Sequence, residues 1–255
     1  MIPNESVVVL GAAGEIGQPI LALSRGGYLE VLARDLKLPV PPRPQHPVAA
    51  IHVAIPGEST SIVEAVTAAD REYHPRVVLV HSTTIPGTCD ALAEKIGIDR
   101  VVHCQVHGKH KSDSMRRDML RYPRFVATAS DTAFEAAAGV LRAMGHPPDQ
   151  IRRLSSLVTG ELSKLLATSF FGYLIAWMQE GERMARCFDA DLEELMSFRR
   201  IPSSDFVLDG KFPGRIGGHC VMPNLKILQK AHPSPLWDWI VASDDRTVED
   251  IGGSR

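Results

Sequence analysis

Near the C-terminal end of this 255-residue chain, Gly217-Gly218-His219-Cys220 sets a thiol where a ligand can come close. Consecutive glycines let a backbone bend tightly and admit a ligand without a Cβ clash. The adjacent imidazole favours thiolate, the nucleophilic form of sulfur. The competing reading is a packing thiol, because cysteine is among the most buried residue types. Upstream, Gly160-Glu161-Leu162-Ser163-Lys164 puts a lysine one helical turn after a glycine, on the same face. Here the glycine is expected to admit a ligand. Held near a reacting hydroxyl, the lysine serves as acid, base or oxyanion partner; alone on an apolar face it snorkels to solvent.

Two further groupings carry chemistry. Gly11-Ala12-Ala13-Gly14-Glu15-Ile16-Gly17 follows the apolar run Val7–Leu10 and precedes a helical pattern through Ser24. Strand, glycine turn and helix in that order form a dinucleotide-binding unit. The first glycine turns the chain, the second admits a pyrophosphate, and the third lets helix and strand pack. The helix N-terminus faces the phosphates. A second strand at Leu29–Ala33 leads to Asp35, whose carboxylate would take both ribose hydroxyls and repel a 2′-phosphate. That favours NAD over NADP, although Arg34 alongside is able to serve a 2′-phosphate. The last grouping is His103-Cys104-Gln105-Val106-His107-Gly108-Lys109-His110. It reads as a histidine-rich surface loop, as an anion or substrate clamp with Lys109 and Lys111, or as a metal site, though its spacing matches no standard zinc site. Arg116, Arg117 and Arg121 add charge nearby, as a solvated helix face also would.

These residues need a scaffold. Apolar runs recur at Ala49–Ile55, Val77–Val80, Val101–Cys104 and Phe125–Ala129, with helical patterns such as Ser61–Ala69 and Cys89–Lys95 between most of them. The alternation predicts a parallel sheet with helices on both faces. One crossover departs from this: prolines at 39, 41, 42, 44 and 47 forbid a regular helix, so an extended loop is expected. After about Leu154 the strand signals vanish. Helices are expected from Thr159 to about Cys187, from Asp189 to about Phe198, from Asn224 to Lys230 and near Leu236–Ala242, with Gly, Pro and Ser clustered over 202–218. The expected fold class is α/β. A Rossmann-type doubly wound parallel sheet spans residues 1–155, and a smaller all-helical substrate and dimerisation domain spans 156–255.

Composition narrows the function classes. Hydrophobic residues make up 44% of the chain, enough for a sizeable core. A formal net charge of −2 gives no electrostatic case for nucleic acid. Cys89, Cys104, Cys187 and Cys220 are widely spaced and read as thiols in a reducing cytoplasm. The N-terminus has no basic region before its apolar run, so no signal peptide is expected. Leu162–Met178 is apolar enough to suggest a membrane span, but Lys164 within it favours a buried helix.

Three segments carry a family resemblance: VVLVHSTTIPGT at 77–88, GELSKLLATSFFGYLIAWMQE at 160–180 and FPGRIGGHC at 212–220. By these the chain resembles the UDP-glucose/GDP-mannose dehydrogenase family, within the wider 6-phosphogluconate-dehydrogenase-like group. The resemblance runs in order from the glycine turn to the thiol. It implies Cys220 as nucleophile, Lys164 as the catalytic lysine and Thr83 at the nicotinamide end. The family oxidises a primary alcohol to an acid with two NAD, through a thiohemiacetal and a thioester on the cysteine. It also implies a homodimer through the long helix around Lys164, which a partner would help to bury.

The departures from the family are chemical. Thr168 stands where the family has asparagine, and Asn224 where it has aspartate. Gln105-Val106-His107 replaces the family's proline-glutamate-arginine. An asparagine does not usefully accept a proton at neutral pH. With about 35 residues after Cys220, a short member without the family's nucleotide-sugar-binding third domain is expected. The expected function is an NAD-dependent oxidoreductase acting on a small, anionic hydroxy or carbonyl compound. Its catalytic residues are Cys220, Lys164, Asn224 and Thr168. Its cofactor residues are Gly11, Gly14, Glu15, Ile16, Gly17, Asp35, Ser82 and Thr83, and no metal is assigned. The alternatives are a two-electron hydroxyacid dehydrogenase that needs no thiol, and a non-catalytic NAD-binding or scaffold protein.

Overall fold

The computed structural model describes residues 4–108, 112–197, 214–217, 220–231 and 233–251. The chain divides into two compact units, Met1–Lys164 and Leu165–Arg255. The first holds seven strands: β1 (Ser6–Leu10), β2 (Glu30–Arg34), β3 (Val48–Val53), β4 (Val77–Val80), β5 (Val101–His103), β6 (Arg124–Ala127) and β7 (Ile151–Leu154). They form one sheet in the order β2-β1-β3-β4-β5-β6-β7. Every residue of β1, β3, β4 and β5 is buried, which is why these strands read as apolar runs, interrupted only by Ser6, His52 and His103.

Side-chain alternation sends residues to two faces. Val9, Leu79, Val102 and Val126 pack under α1 (Gly17–Gly27), α4 (Ser112–Arg121) and α5 (Asp131–Ala143). Val8, Ile51, Val78 and Val101 pack under α2 (Ser59–Tyr73) and α3 (Thr88–Ile96). The strand order reverses at β1, where β2 lies to one side and β3 to the other. Ligands bind in such sheets outside the carboxyl ends of the strands at that switch.

Two features differ from the expected all-parallel sheet. Strand β6 pairs antiparallel to β5 through His103 and Ala127, and β7 pairs parallel to β6, so the last two strands run against the other five. An apolar run carries no direction, and antiparallel edge strands are common on otherwise parallel sheets. Strand β7, Ile-Arg-Arg-Leu, has no continuous apolar run because it lies at the sheet edge with Arg152 and Arg153 exposed. Between Leu36 and Pro47 no helix or strand forms, as the prolines dictate.

Helix α6 (Leu157–Cys187) starts in the first unit and supplies the second with its longest element. In the second unit it is followed by α7 (Leu192–Ser197), α8 (Val221–Ala231) and α9 (Pro235–Asp250). Ala176, Ile216, Leu225 and Ile240 form the apolar core there. A Cβ on Gly172 would sit 2.6 Å from Val221 Cγ1, so the glycine brings α6 and α8 together. Asp189 has a φ of 52° and belongs to the turn after α6; Asp191 caps α7 by accepting the Glu194 N–H. Helix α9 runs on past Ala242 because its polar side chains are used inside. Asp244 accepts the N–H of Ile216, and Arg183 donates to the Ser243 carbonyl and the Thr247 hydroxyl.

Helix α6 is not buried all round. Leu166, Phe170, Tyr173 and Trp177 form an exposed stripe at four-, three- and four-residue intervals. Among the described residues no helix is long and apolar enough to cross a membrane.

Candidate active site

The glycine turn closes onto the switch point. Gly11 has a φ of 80°, and a Cβ there would lie 2.2 Å from the Ala54 carbonyl oxygen. At Gly17 a Cβ would lie 1.9 Å from the Gly11 carbonyl oxygen. Both positions therefore require glycine for the fold itself. Gly14 differs: its nearest neighbour would be the Gly11 oxygen at 3.2 Å, and it faces solvent. Beside it, Glu15 is exposed, while Ile16 packs against the core, leaving Ile16 only its backbone to offer a ligand. No side chain caps the N-terminus of α1.

Asp35 sits just past β2. One carboxylate oxygen accepts the Ala13 N–H at 3.0 Å and the other accepts the Lys37 N–H at 2.9 Å. These backbone donors, Lys37 first, hold the carboxyl below its usual range, so Asp35 is ionised and tied to the glycine turn. Arg34 reaches the other way, donating to Tyr73 Oη at 2.8 Å and Glu72 at 3.1 Å. An exposed middle glycine, an uncapped helix start and an ionised acid at the end of β2 fit the pyrophosphate and ribose of a dinucleotide. Beyond β4, Ser82 is buried and donates to the Ile55 carbonyl at 2.7 Å, while Thr83 is half-exposed. Ser82 thus holds the ends of β3 and β4 together.

Lys164 donates from Nζ to the Val106 carbonyl at 2.9 Å. His103 and His107 lie in the same neighbourhood. Burial above all, helped by the nearby charge of Lys164, pushes each imidazole down to about 4. Both are therefore neutral beside a half-buried ammonium. The glycine one turn earlier serves packing rather than ligand approach: a Cβ on Gly160 would lie 2.4 Å from Ala127 Cβ and 2.7 Å from His103 Nδ1. The surface-loop reading of the histidine stretch fails at its first half, since residues 103–106 are buried. Lys109, His110 and Lys111 lie outside the described residues. Among the described residues no set of three His, Cys, Asp or Glu side chains has the arrangement to hold a metal. Arg116, Arg117 and Arg121 are exposed along α4.

In the second unit, two of the positions where the chain departs from the family it resembles meet. Asn224 Nδ2 donates to Thr168 Oγ1 at 2.6 Å, and both residues are buried. Thr168 in turn donates to the Leu165 carbonyl. Cys220 is half-buried and directly precedes α8, with its carbonyl accepting the Asn224 N–H at 3.1 Å. Gly217 is described; Gly218 and His219 lie outside the described residues. The other thiols differ: Cys89 and Cys104 are buried and Cys187 is exposed. Burial, then Glu161, holds the Cys89 thiol well above its ordinary range.

Two features carried no signal in the sequence. Glu161 is 1% exposed and accepts from Thr84 Oγ1 at 2.9 Å, from the Gly87 N–H at 2.7 Å and from the Cys89 N–H at 2.9 Å. It caps α3 from another helix, where a negative charge is stabilised. The second feature is buried: His52 and Arg124 each meet His81, and His146, also buried, lies where the Arg124 charge acts on its ring. His52 and Arg124 fall in apolar stretches where a polar side chain normally marks an outward position.

No protein-family model and no curated protein sequence matches the chain. Solved structures do. UDP-D-ManNAc dehydrogenase from Pyrococcus horikoshii has a TM-score of 0.76 at 18% identity, with 97% of this chain and 70% of that chain covered. UDP-N-acetyl-mannosamine dehydrogenase from Staphylococcus aureus has a TM-score of 0.76 at 16% identity, covering 97% and 69%. 3-Hydroxyisobutyrate dehydrogenase from Mycobacterium tuberculosis has a TM-score of 0.73 at 13% identity, covering 98% and 95%. At these identities the likeness establishes the fold: a Rossmann-type sheet followed by a helical region, as in these dehydrogenases.

Proposed function

We propose that this chain is an NAD-dependent oxidoreductase acting on a small, anionic hydroxy or carbonyl compound, with Lys164 and Cys220 in its active site. The observation that carries the cofactor reading is the ionised Asp35 at the end of β2, tied to a glycine turn whose middle glycine is exposed. Arg34, engaged by Tyr73 and Glu72, is turned away from the role of 2′-phosphate ligand, which supports NAD over NADP. The dehydrogenase fold of the structural neighbours agrees with it.

Bound NAD supplies a hydride acceptor. The chain's own residues supply the rest. As an ammonium, Lys164 attracts an anionic substrate, polarises its oxygen and gives up a proton when a carbonyl is reduced; in its neutral form it takes the proton of a hydroxyl being oxidised. Cys220, at the start of an 11-residue helix, lies where partial positive charge favours an anionic sulfur. It attacks an aldehyde or positions it. Asn224 and Thr168 orient groups by hydrogen bonding. Titration with NAD and NADP, followed by turnover on a panel of hydroxy acids and sugar alcohols, tests this. Cys220→Ser abolishes acid formation if sulfur acts covalently; full activity in that variant removes the covalent role. NAD binding with no turnover on any substrate would support a non-catalytic role.

The Asn224–Thr168 pair favours a second reading, a two-electron hydroxyacid dehydrogenase. Neither residue is an acid, so neither supports the water activation that acid release requires. One NADH per product identifies this route, and two identify the covalent one. The exposed stripe Leu166, Phe170, Tyr173 and Trp177 supports a homodimer built on α6, which sedimentation would test. Four cysteines kept as thiols fit a cytoplasmic setting.

A further inference from the structure

Arg124 opens β6 with 1% of its surface exposed. A guanidinium stays charged in proteins and carries five N–H donors. One terminal nitrogen lies 3.3 Å from the Cys104 carbonyl and 3.3 Å from the Cys104 sulfur. The Nε and the other terminal nitrogen have no hydrogen-bond partner. None of the groups that Arg124 touches is a carboxylate. An ion buried without its counter-charge costs several kcal/mol.

The imidazoles around it do not supply that charge. His81 Nδ1 lies 2.5 Å from the Cys104 carbonyl oxygen, which only accepts, so this nitrogen bears the proton. His81 Nε2 then accepts from His52 Nδ1 at 2.9 Å, and His52 Nε2 keeps a lone pair. His146 is 2% exposed, with neither ring nitrogen partnered. Burial, and then the guanidinium, pushes His52 and His146 each down to about 3, so both are neutral. Among the described residues, what remains is one fixed positive charge, orphaned N–H groups on Arg124 and His146, and no carboxylate in contact with the guanidinium. A metal ion has the wrong sign beside a guanidinium, and water leaves the charge uncompensated.

We propose that Arg124 and a ring N–H of His146 form an internal site for a small monovalent anion of the halide class. His52, His81, Cys104 and Arg124 alternate onto the face of the sheet covered by α1, α4 and α5, at the carboxyl ends of β3, β4 and β5. The site shares no residue with the glycine turn or with Lys164, although His107 feels the charge of both Arg124 and Lys164, and halide binding there does not require the proposed reaction. A bound halide stabilises the fold by mass action, as any ligand of the native state does.

The test is the thermal midpoint of the full chain at pH 8, with sodium chloride or bromide exchanged for sodium gluconate at constant ionic strength. The midpoint rises with halide and saturates, by roughly 5–10 °C at a hundredfold excess over Kd. In Arg124→Met it is indifferent to the exchange. A crystal soaked in bromide shows an anomalous peak within hydrogen-bond reach of Arg124 Nε and His146. Three results overturn the site: a midpoint that follows ionic strength alone, a halide dependence retained in Arg124→Met, or a bromide-soaked crystal with only water beside Arg124. If Arg124→Met does not fold, His146→Phe keeps the charge and removes one donor. Its halide dependence is weaker; an unchanged one excludes His146, and the bromide peak still decides for Arg124.

Discussion

The glycine turn of the first unit and the Cys220 end of α8 both look like motif chemistry, yet different constraints hold them. At Gly11 and Gly17 a side chain would collide with backbone inside the same unit, so glycine is required whether or not a cofactor binds. At Gly14 and Asp35 the internal demand is weaker, and those two residues are the ones that report on a ligand. At the α8 end, half-buried Cys220 and the Asn224–Thr168 pair are choices of side chain on an ordinary helix start. Under the proposed function, residue types there would report the chemistry, with an amide at Asn224 where the resembled family has an acid.

That contrast is open to attack. The largest effect belongs to acid titration of the first unit, where His52 and His146 are held down to about 3 and His103 to about 4. Their folded values lie below the unfolded value of about 6.5, so the unfolded chain binds more protons between those limits. Stability is full above about pH 6.5 and falls steadily as pH drops toward 4. Urea midpoints at several pH values, read at sheet and at helical probes, check this. A flat profile over that range would contradict the burial of these rings.

Lys164→Met comes next, with kcat lowered by roughly 10²- to 10⁴-fold and NAD affinity unchanged. A fall in NAD affinity of the same size would make Lys164 a cofactor residue. Gly17→Ala should then cost about 3 kcal/mol of stability, since backbone rather than a flexible side chain blocks the new methyl. Gly14→Ala should keep stability within about 1 kcal/mol but weaken NAD binding about tenfold, separating the two kinds of glycine. Calorimetric melting with NAD titration measures both. The smallest effect on turnover is expected for Asn224→Asp. The Thr168 hydroxyl must leave the Leu165 carbonyl to donate to the new, buried carboxyl, so stability should fall by about 1–3 kcal/mol. The share of product that is acid rises if water activation is what the amide withholds.

Much of the scaffold was legible because buried parallel strands write themselves as apolar runs and glycine turns repeat at fixed offsets. Strand β7 was not, since an edge strand with Arg152 and Arg153 outward lacks the run. Nor was the reversal of β6, because pairing direction leaves no trace in composition. Asn224 and Thr168 were found by departure from a family pattern, and the structure joins them by a hydrogen bond that spacing alone would not suggest. Gly160 was misread: its neighbours Ala127 and His103 come from distant parts of the chain. The group around Arg124 was invisible because its members lie on separate strands and a loop, up to 94 positions apart between His52 and His146.

Glu161 has a mechanical consequence. Its carboxylate grips the Thr84 hydroxyl and the Gly87 and Cys89 amides, and Lys164 lies less than one turn further along the same helix. The loop that carries Thr83 and the turn of helix that carries Lys164 are thereby clamped to one lever. A shift at the start of α6 is transmitted to the stretch after β4 without passing through the sheet. Any displacement of the lysine end is felt at the loop beside Thr83, and the grip of the loop in turn limits how far that end of the helix can yield.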